Sequence, residues 1–87
     1  MNFPFIETRL NDNQYIREFE NKNKDAIEEW HRDKEDRIVE VLENTDWLLQ
    51  MDNELPKLLD GKYYIPKENY HRVIAGNGKL IVKLTKL

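Results

Sequence analysis

Glu28 and His31 stand three residues apart in "EEWH", the spacing by which a helix aims a carboxylate and an imidazole at one metal ion. A carboxylate-bridged centre of that kind needs two such pairs and two further carboxylates. A homodimer would supply only the copies, so His31 is expected to lie exposed beside Trp30, and the protein to hold neither metal nor any other cofactor. "HRD" at residues 31–33 has the letters of the kinase catalytic loop, but a chain of 87 residues with no Gly-rich loop is no kinase. "GNG" at residues 76–78 reads as a turn. Neither cysteine nor serine occurs, which removes serine and thiol nucleophiles, disulfides and thiolate metal sites. These residues predict no catalytic group and a protein that is not an enzyme.

Two charged constellations offer binding chemistry instead. Asp25, Glu29, Asp33, Asp36, Glu40 and Glu43 follow one another at steps of four, four, three, four and three. On a helix that spacing makes one continuous acidic stripe, able to dock on a basic surface in place of nucleic-acid phosphates. Against it stand Arg72, Lys79, Lys83 and Lys86, with Tyr63, Tyr64 and Tyr70 interleaved. Cations and aromatic rings in that mixture neutralise phosphates and stack bases. The two sets are segregated: residues 1–56 carry seven Lys/Arg against fifteen Asp/Glu, and residues 57–87 carry seven against two. Such a split predicts surfaces meant for partners. The stretch "LLDGKYYIPKENYHRVIAGNGKLIVKLTK" also resembles the C-terminal strands of RelE-type ribosome-dependent toxins, in which a basic residue follows a tyrosine in a strand after a helical pair. That resemblance implies an RNA-directed role for Arg72 alone.

The stripe requires a helix, and the apolar spacing offers one. Ile16, Phe19, Ile27, Trp30, Ile38 and Val41 follow steps of three and four, with Asn23, Lys34 and Thr45 interrupting them. Glu18–Lys22, Glu20–Lys24, Glu28–Arg32 and Asp33–Arg37 are favourable i,i+4 pairs, each worth about 0.2–0.5 kcal/mol. The expectation is one domain over residues 1–87. It comprises an extended segment at 1–10, a long helix over 12–44 (possible break near 21–25), and a second helical region over 45–60 capped by Thr45. An antiparallel sheet follows over 62–87, with "KYYIP" as one strand. Asn77-Gly78 is the dipeptide of a type I′ hairpin. Centred there, the register sets Ala75 against Leu80, Val73 against Val82, and Arg72 against Lys83. Trp30, Ile38, Val41, Leu42, Trp47, Leu48, Val73, Val82 and Leu84 are the expected core.

The fold class expected is therefore α+β. The function expected is a non-enzymatic protein–protein interaction module, a small inhibitor or regulator of phage or mobile-element type similar to anti-CRISPR proteins. It would bind a protein partner with a basic surface. The alternatives are a nucleic-acid-binding or RelE-like protein using the basic hairpin, and a homo-oligomeric scaffold, a homodimer being the simplest. No stretch reaches the length of a membrane span, and the cytoplasm is the expected location.

Overall fold

Burial alternates residue by residue along 47–50, 62–65 and 80–84, and a period of two builds strands, not helices. The computed structural model describes residues 5–22 and 24–87. Eight strands run in order: β1 (Phe5–Arg9), β2 (Gln14–Phe19), β3 (Arg37–Val41), β4 (Leu48–Met51), β5 (Lys57–Leu58), β6 (Lys62–Ile65), β7 (His71–Ile74) and β8 (Leu80–Lys86). One helix, α1 (Lys24–Ile27), lies between β2 and β3. A five-stranded antiparallel sheet has the order β1-β2-β8-β3-β6, and a three-stranded one the order β5-β4-β7. Ile27, Trp47, Leu49, Leu59, Leu80 and Val82 are buried together in the core.

The register explains this packing. Phe5, Phe19 and Leu80 stand side by side across β1, β2 and β8; Tyr15, Leu84, Val39 and Tyr63 do so across β2, β8, β3 and β6. These rows are mostly apolar and face the second sheet, which answers with Leu49 and Val73, themselves opposite one another. Trp47 is wholly buried, and its indole N–H donates to the Gly78 carbonyl at 3.3 Å.

The expected α+β class is overturned. Residues 14–19 and 37–41, assigned above to one long helix, are strands, and so are 48–51 and 57–58 of the second helical region. Four surface ion pairs offer a helix about 2 kcal/mol at most. Two strands flanking a buried central β8 gain far more from apolar area removed from water. The polar interruptions at Lys34 and Thr45 were the sign of the wrong period; Asn23 lies outside the described residues. Thr45 caps no helix: its hydroxyl accepts the Trp47 N–H at 3.2 Å in a local turn.

The hairpin is corrected as well. Residues 71–74 and 80–86 are extended, but they belong to different sheets: β7 pairs with β4, and β8 lies between β2 and β3. A type I′ turn needs positive φ at both central residues, and here Gly78 has it at 68° while Asn77 does not. The turn carries the chain from one sheet to the other. Asp46 holds it by accepting the Asn77 backbone N–H at 2.9 Å and its side-chain amide at 3.1 Å. Of the expected core, Trp47, Val82 and Leu84 are buried, whereas Trp30 and Leu42 are exposed. Residues 1–4 of the expected N-terminal segment lie outside the described residues; Phe5–Arg9 is an edge strand. Among the described residues, no helix is long and apolar enough to cross a membrane.

Candidate metal centre

The chain contains two histidines, and the fold brings both together. His31 lies in the segment between α1 and β3, and an isolated antiparallel bridge ties it to His71, the first residue of β7. Each backbone N–H donates to the other's carbonyl, at 3.0 and 2.9 Å. The rings meet edge to face with centroids 4.3 Å apart. In extended chain, alternate residues share a side, so His31 and Asp33 project the same way. The segment is pinned at both ends: Glu28 accepts the Ala75 N–H at 3.0 Å, and the Asp33 carbonyl accepts the Glu68 N–H at 2.7 Å.

Ring tautomers follow from the backbone. His71 Nδ1 is 2.8 Å from the Asn69 carbonyl and His31 Nδ1 is 3.2 Å from the Glu29 carbonyl. A carbonyl can only accept, so each Nδ1 carries the hydrogen, and each neutral ring presents a bare Nε2. Asp33 Oδ2 is buried and receives no hydrogen bond, though His71 Nε2 is only 3.3 Å away. One ligand atom from each of the three residues lies within 4.8 Å of the others. Acceptors held out of water without a donor, as at Asp33 Oδ2 and His71, are costly, and a cation between them removes that cost. Two imidazoles and one carboxylate make the donor set of non-haem iron(II) sites, so the residues present fit a divalent metal.

Neighbouring charges prepare the ligands. Arg37 extends inward from β3, its Nη1 3.2 Å from Asp33 Oδ1, with Nε and Nη2 held by Glu35 Oε1 at 3.0 and 2.7 Å. It occupies one carboxylate oxygen of Asp33 and leaves the other for the centre. Burial by itself would push the Asp33 carboxyl upward, but the hydrogen bond it accepts when His71 Nε2 carries a proton, and the Arg37 charge, outweigh it and hold Asp33 below its ordinary value of 3.8. Burial of the ring, aided by His71 and Arg37, lowers His31 from 6.5. Each shift favours the form that binds metal, carboxylate or neutral imidazole.

All three ligands line a cavity of about 500 Å³ between the sheets, whose walls are largely apolar. Two arginines reach it, Arg37 and Arg17, along with Glu29.

The sequence-predicted surfaces are scattered by this fold. Of the acidic set, Asp33 is a ligand candidate and Glu29 lines the cavity. Asp25 is in α1, Asp36 accepts the Lys67 N–H at 2.8 Å, Glu40 lies between Lys62 and Lys83 in the sheet, and Glu43 follows β3. Of the basic set, Arg72 donates to Gln50 and covers Trp30, Tyr70 lies under Arg32, and Lys79 faces Glu18 at 3.5 Å. Lys86 covers Tyr15, the Tyr63 hydroxyl donates to the Leu58 carbonyl, and Tyr64 is exposed on β6. Arg72 and Lys83 never meet: their strand partners are Gln50 for the first, Ile16 and Glu40 for the second. The reading by composition missed the convergence of His31, Asp33 and His71, and it missed Arg17 and Arg37. The signal present was His-x-Asp in a chain with one further histidine.

No family model matches the sequence, and neither does any curated protein. Solved structures do. A cupin domain from Bordetella pertussis Tohama I is 22% identical and superposes with a TM-score of 0.58, covering 100% of this chain and 98% of that one. The fold is that of the cupins. DMSP lyase DddQ from Ruegeria pomeroyi is 12% identical with a TM-score of 0.69 over 95% of this chain, and FeII HppE is 15% identical with a TM-score of 0.64 over 85%. The chain spans 46% of DddQ and 41% of HppE, less than half of either. The interaction module, its anti-CRISPR character and its RelE-like and scaffold alternatives are corrected here. Their long helix is absent among the described residues, and the fold is one shared with a lyase and an iron-loaded protein. The expectation that the protein is not an enzyme falls on the same finding.

Proposed function

We propose that this chain is a metal-dependent enzyme that acts on a small molecule held between the two sheets. The observation that carries the reading is that one ligand atom each of His31, Asp33 and His71 lies within 4.8 Å of the others, with Asp33 Oδ2 buried and without a hydrogen bond. These three atoms would hold one divalent first-row metal, iron(II) by the character of the donor set. Bound there, the metal supplies Lewis acidity and open positions for substrate. Arg37 keeps Asp33 ionised and one of its oxygens turned to the centre. The apolar walls exclude water and strengthen every charge interaction inside. A reducing cytoplasm suits a divalent iron site and is the location proposed with it.

The test is metal binding under anaerobic conditions. Iron(II), cobalt(II) and zinc(II) are titrated into the full chain and into His71→Ala, with bound metal counted after dialysis. One ion per chain is expected, bound at least about tenfold more weakly by the variant, since a lost ligand costs more than the 1.4 kcal/mol of one decade. Equal binding by both proteins would overturn the reading.

A further inference from the structure

Arg17 occupies a position that the sheet reserves for apolar side chains. It lies between Glu7 and Val82 in the row that crosses β1, β2, β8 and β3, and Val82 is buried. The rows on either side hold Phe5, Phe19 and Leu80, and Tyr15, Leu84 and Val39. An inward cation on a core face is the kind of exception that requires a partner. Glu7 Oε1 takes Nε at 2.6 Å, and the Phe5 ring lies 4.2 Å from the guanidinium carbon. Among the described residues, nothing accepts a hydrogen bond from the two terminal nitrogens of Arg17. The side chain is 20% exposed, and it lines the same cavity as His31, Asp33 and His71.

The other arginine of the cavity is spent. Arg37 is fully engaged by Asp33 and Glu35. Arg17 is held at Nε and stacked on Phe5, so its Nη1/Nη2 edge is fixed in place. Two parallel N–H donors in a plane match the two oxygens of a carboxylate. An apolar cavity of about 500 Å³ has the volume of a small-molecule site.

We propose that Arg17 anchors the carboxylate of a small substrate whose apolar body fills the inter-sheet cavity and whose reacting end faces the His31–Asp33–His71 centre. The role as substrate anchor rests on the metal-enzyme reading; carboxylate binding itself does not, and it is measured separately. The probe is 3-phenylpropanoate, an apolar body with a carboxylate at one end. It is titrated into the full chain by NMR, first metal-free in chelator and then with cobalt(II). Saturable binding is expected in both states, with shifts in amides of β2, β8 and β7. The isosteric amide, 3-phenylpropanamide, should bind roughly tenfold more weakly to the unaltered protein, since it carries no charge for the guanidinium. Arg17→Met should weaken the acid by roughly as much and leave cobalt affinity unchanged, and Arg17→Lys should fall between. Amide and acid binding alike, a comparison that needs no variant to fold, would overturn the proposal. So would undiminished acid binding by Arg17→Met, or a phosphonate of equal length binding roughly tenfold tighter than the acid. Acid binding without cobalt binding would support the Arg17 anchor and defeat the metal reading alone; the reverse would defeat the anchor alone.

Discussion

His71 Nε2 stands 3.3 Å from Asp33 Oδ2 while the other nitrogen of the ring already donates to the Asn69 carbonyl. In the neutral ring both facing atoms are acceptors, so a proton or a metal ion must lie between them. A metal that binds only the folded chain stabilises it by mass action. With free metal at about one hundred times Kd, unfolding should be harder by about 2.7 kcal/mol. Denaturant titration with and without cobalt(II) checks this, and His71→Ala and His31→Ala should each lose most of the gain.

Acid should release the metal late. Burial lowers His31 from its ordinary 6.5, and Asp33 is held below 3.8. A lowered histidine is neutral, and able to ligate, down through pH values where an unperturbed one is protonated. Asp33 remains a carboxylate over the same range. Affinity measured by dialysis from about pH 8 to about pH 5 should hold steady at first, and decline below 6.5 as protons compete for His31.

Arg37 and Asp33 form an ion pair with side chains only 14% and 10% exposed. Removing one member of a buried pair leaves an unpaired charge, at a cost of about 3–5 kcal/mol. Arg37→Met should therefore destabilise the metal-free protein by about 3 kcal/mol in urea. Metal saturation should recover part of that loss, because the cation then compensates Asp33.

Gly76 is needed for close approach. A Cβ there would stand 2.8 Å from the Asp46 backbone carbonyl carbon and collide with the Asp46 carboxylate that holds the turn. Gly76→Ala should cost about 1–3 kcal/mol, as overpacking does. Thermal unfolding measures it.

Lys83 lies opposite Glu40 in the observed register. Lys83→Glu should set like charges side by side and destabilise the sheet by a few tenths of a kcal/mol, up to about 1. The hairpin expected from Asn77-Gly78 gives the opposite sign, because there the same change would relieve a clash with Arg72. Chemical denaturation of this one variant separates the two registers.

That contrast marks where the sequence was legible. Short runs such as "KYYI", "HRVI" and "LIVKLTK" are rich in β-branched and aromatic residues, and they are strands. Which strand pairs with which is not local information. Asn77-Gly78 fits a tight hairpin, but Asp46, thirty-one residues away, bends that turn between sheets. Over residues 14–41 the apolar residues fit three-and-four spacing almost as well as two, because inward positions on β2 and β3 are taken by Arg17 and Arg37. Those two arginines hid the strand period. The ligands were hidden in the same way: Asp33 merged with a run of acids, and His71, forty residues from His31, acquires meaning only through the bridge between their backbones.

That bridge couples the metal to the closing of the sandwich. One pair of ligands comes from the segment leading into β3 in one sheet, and the third from β7 in the other. The centre is complete only while the two reciprocal hydrogen bonds between residues 31 and 71 are made. Sub-global opening along that seam would break the ligand set before the rest of the core parts. The rate at which a chelator strips the ion thus becomes a clock for the seam, and hydrogen exchange at the His31 and His71 amides should keep the same time.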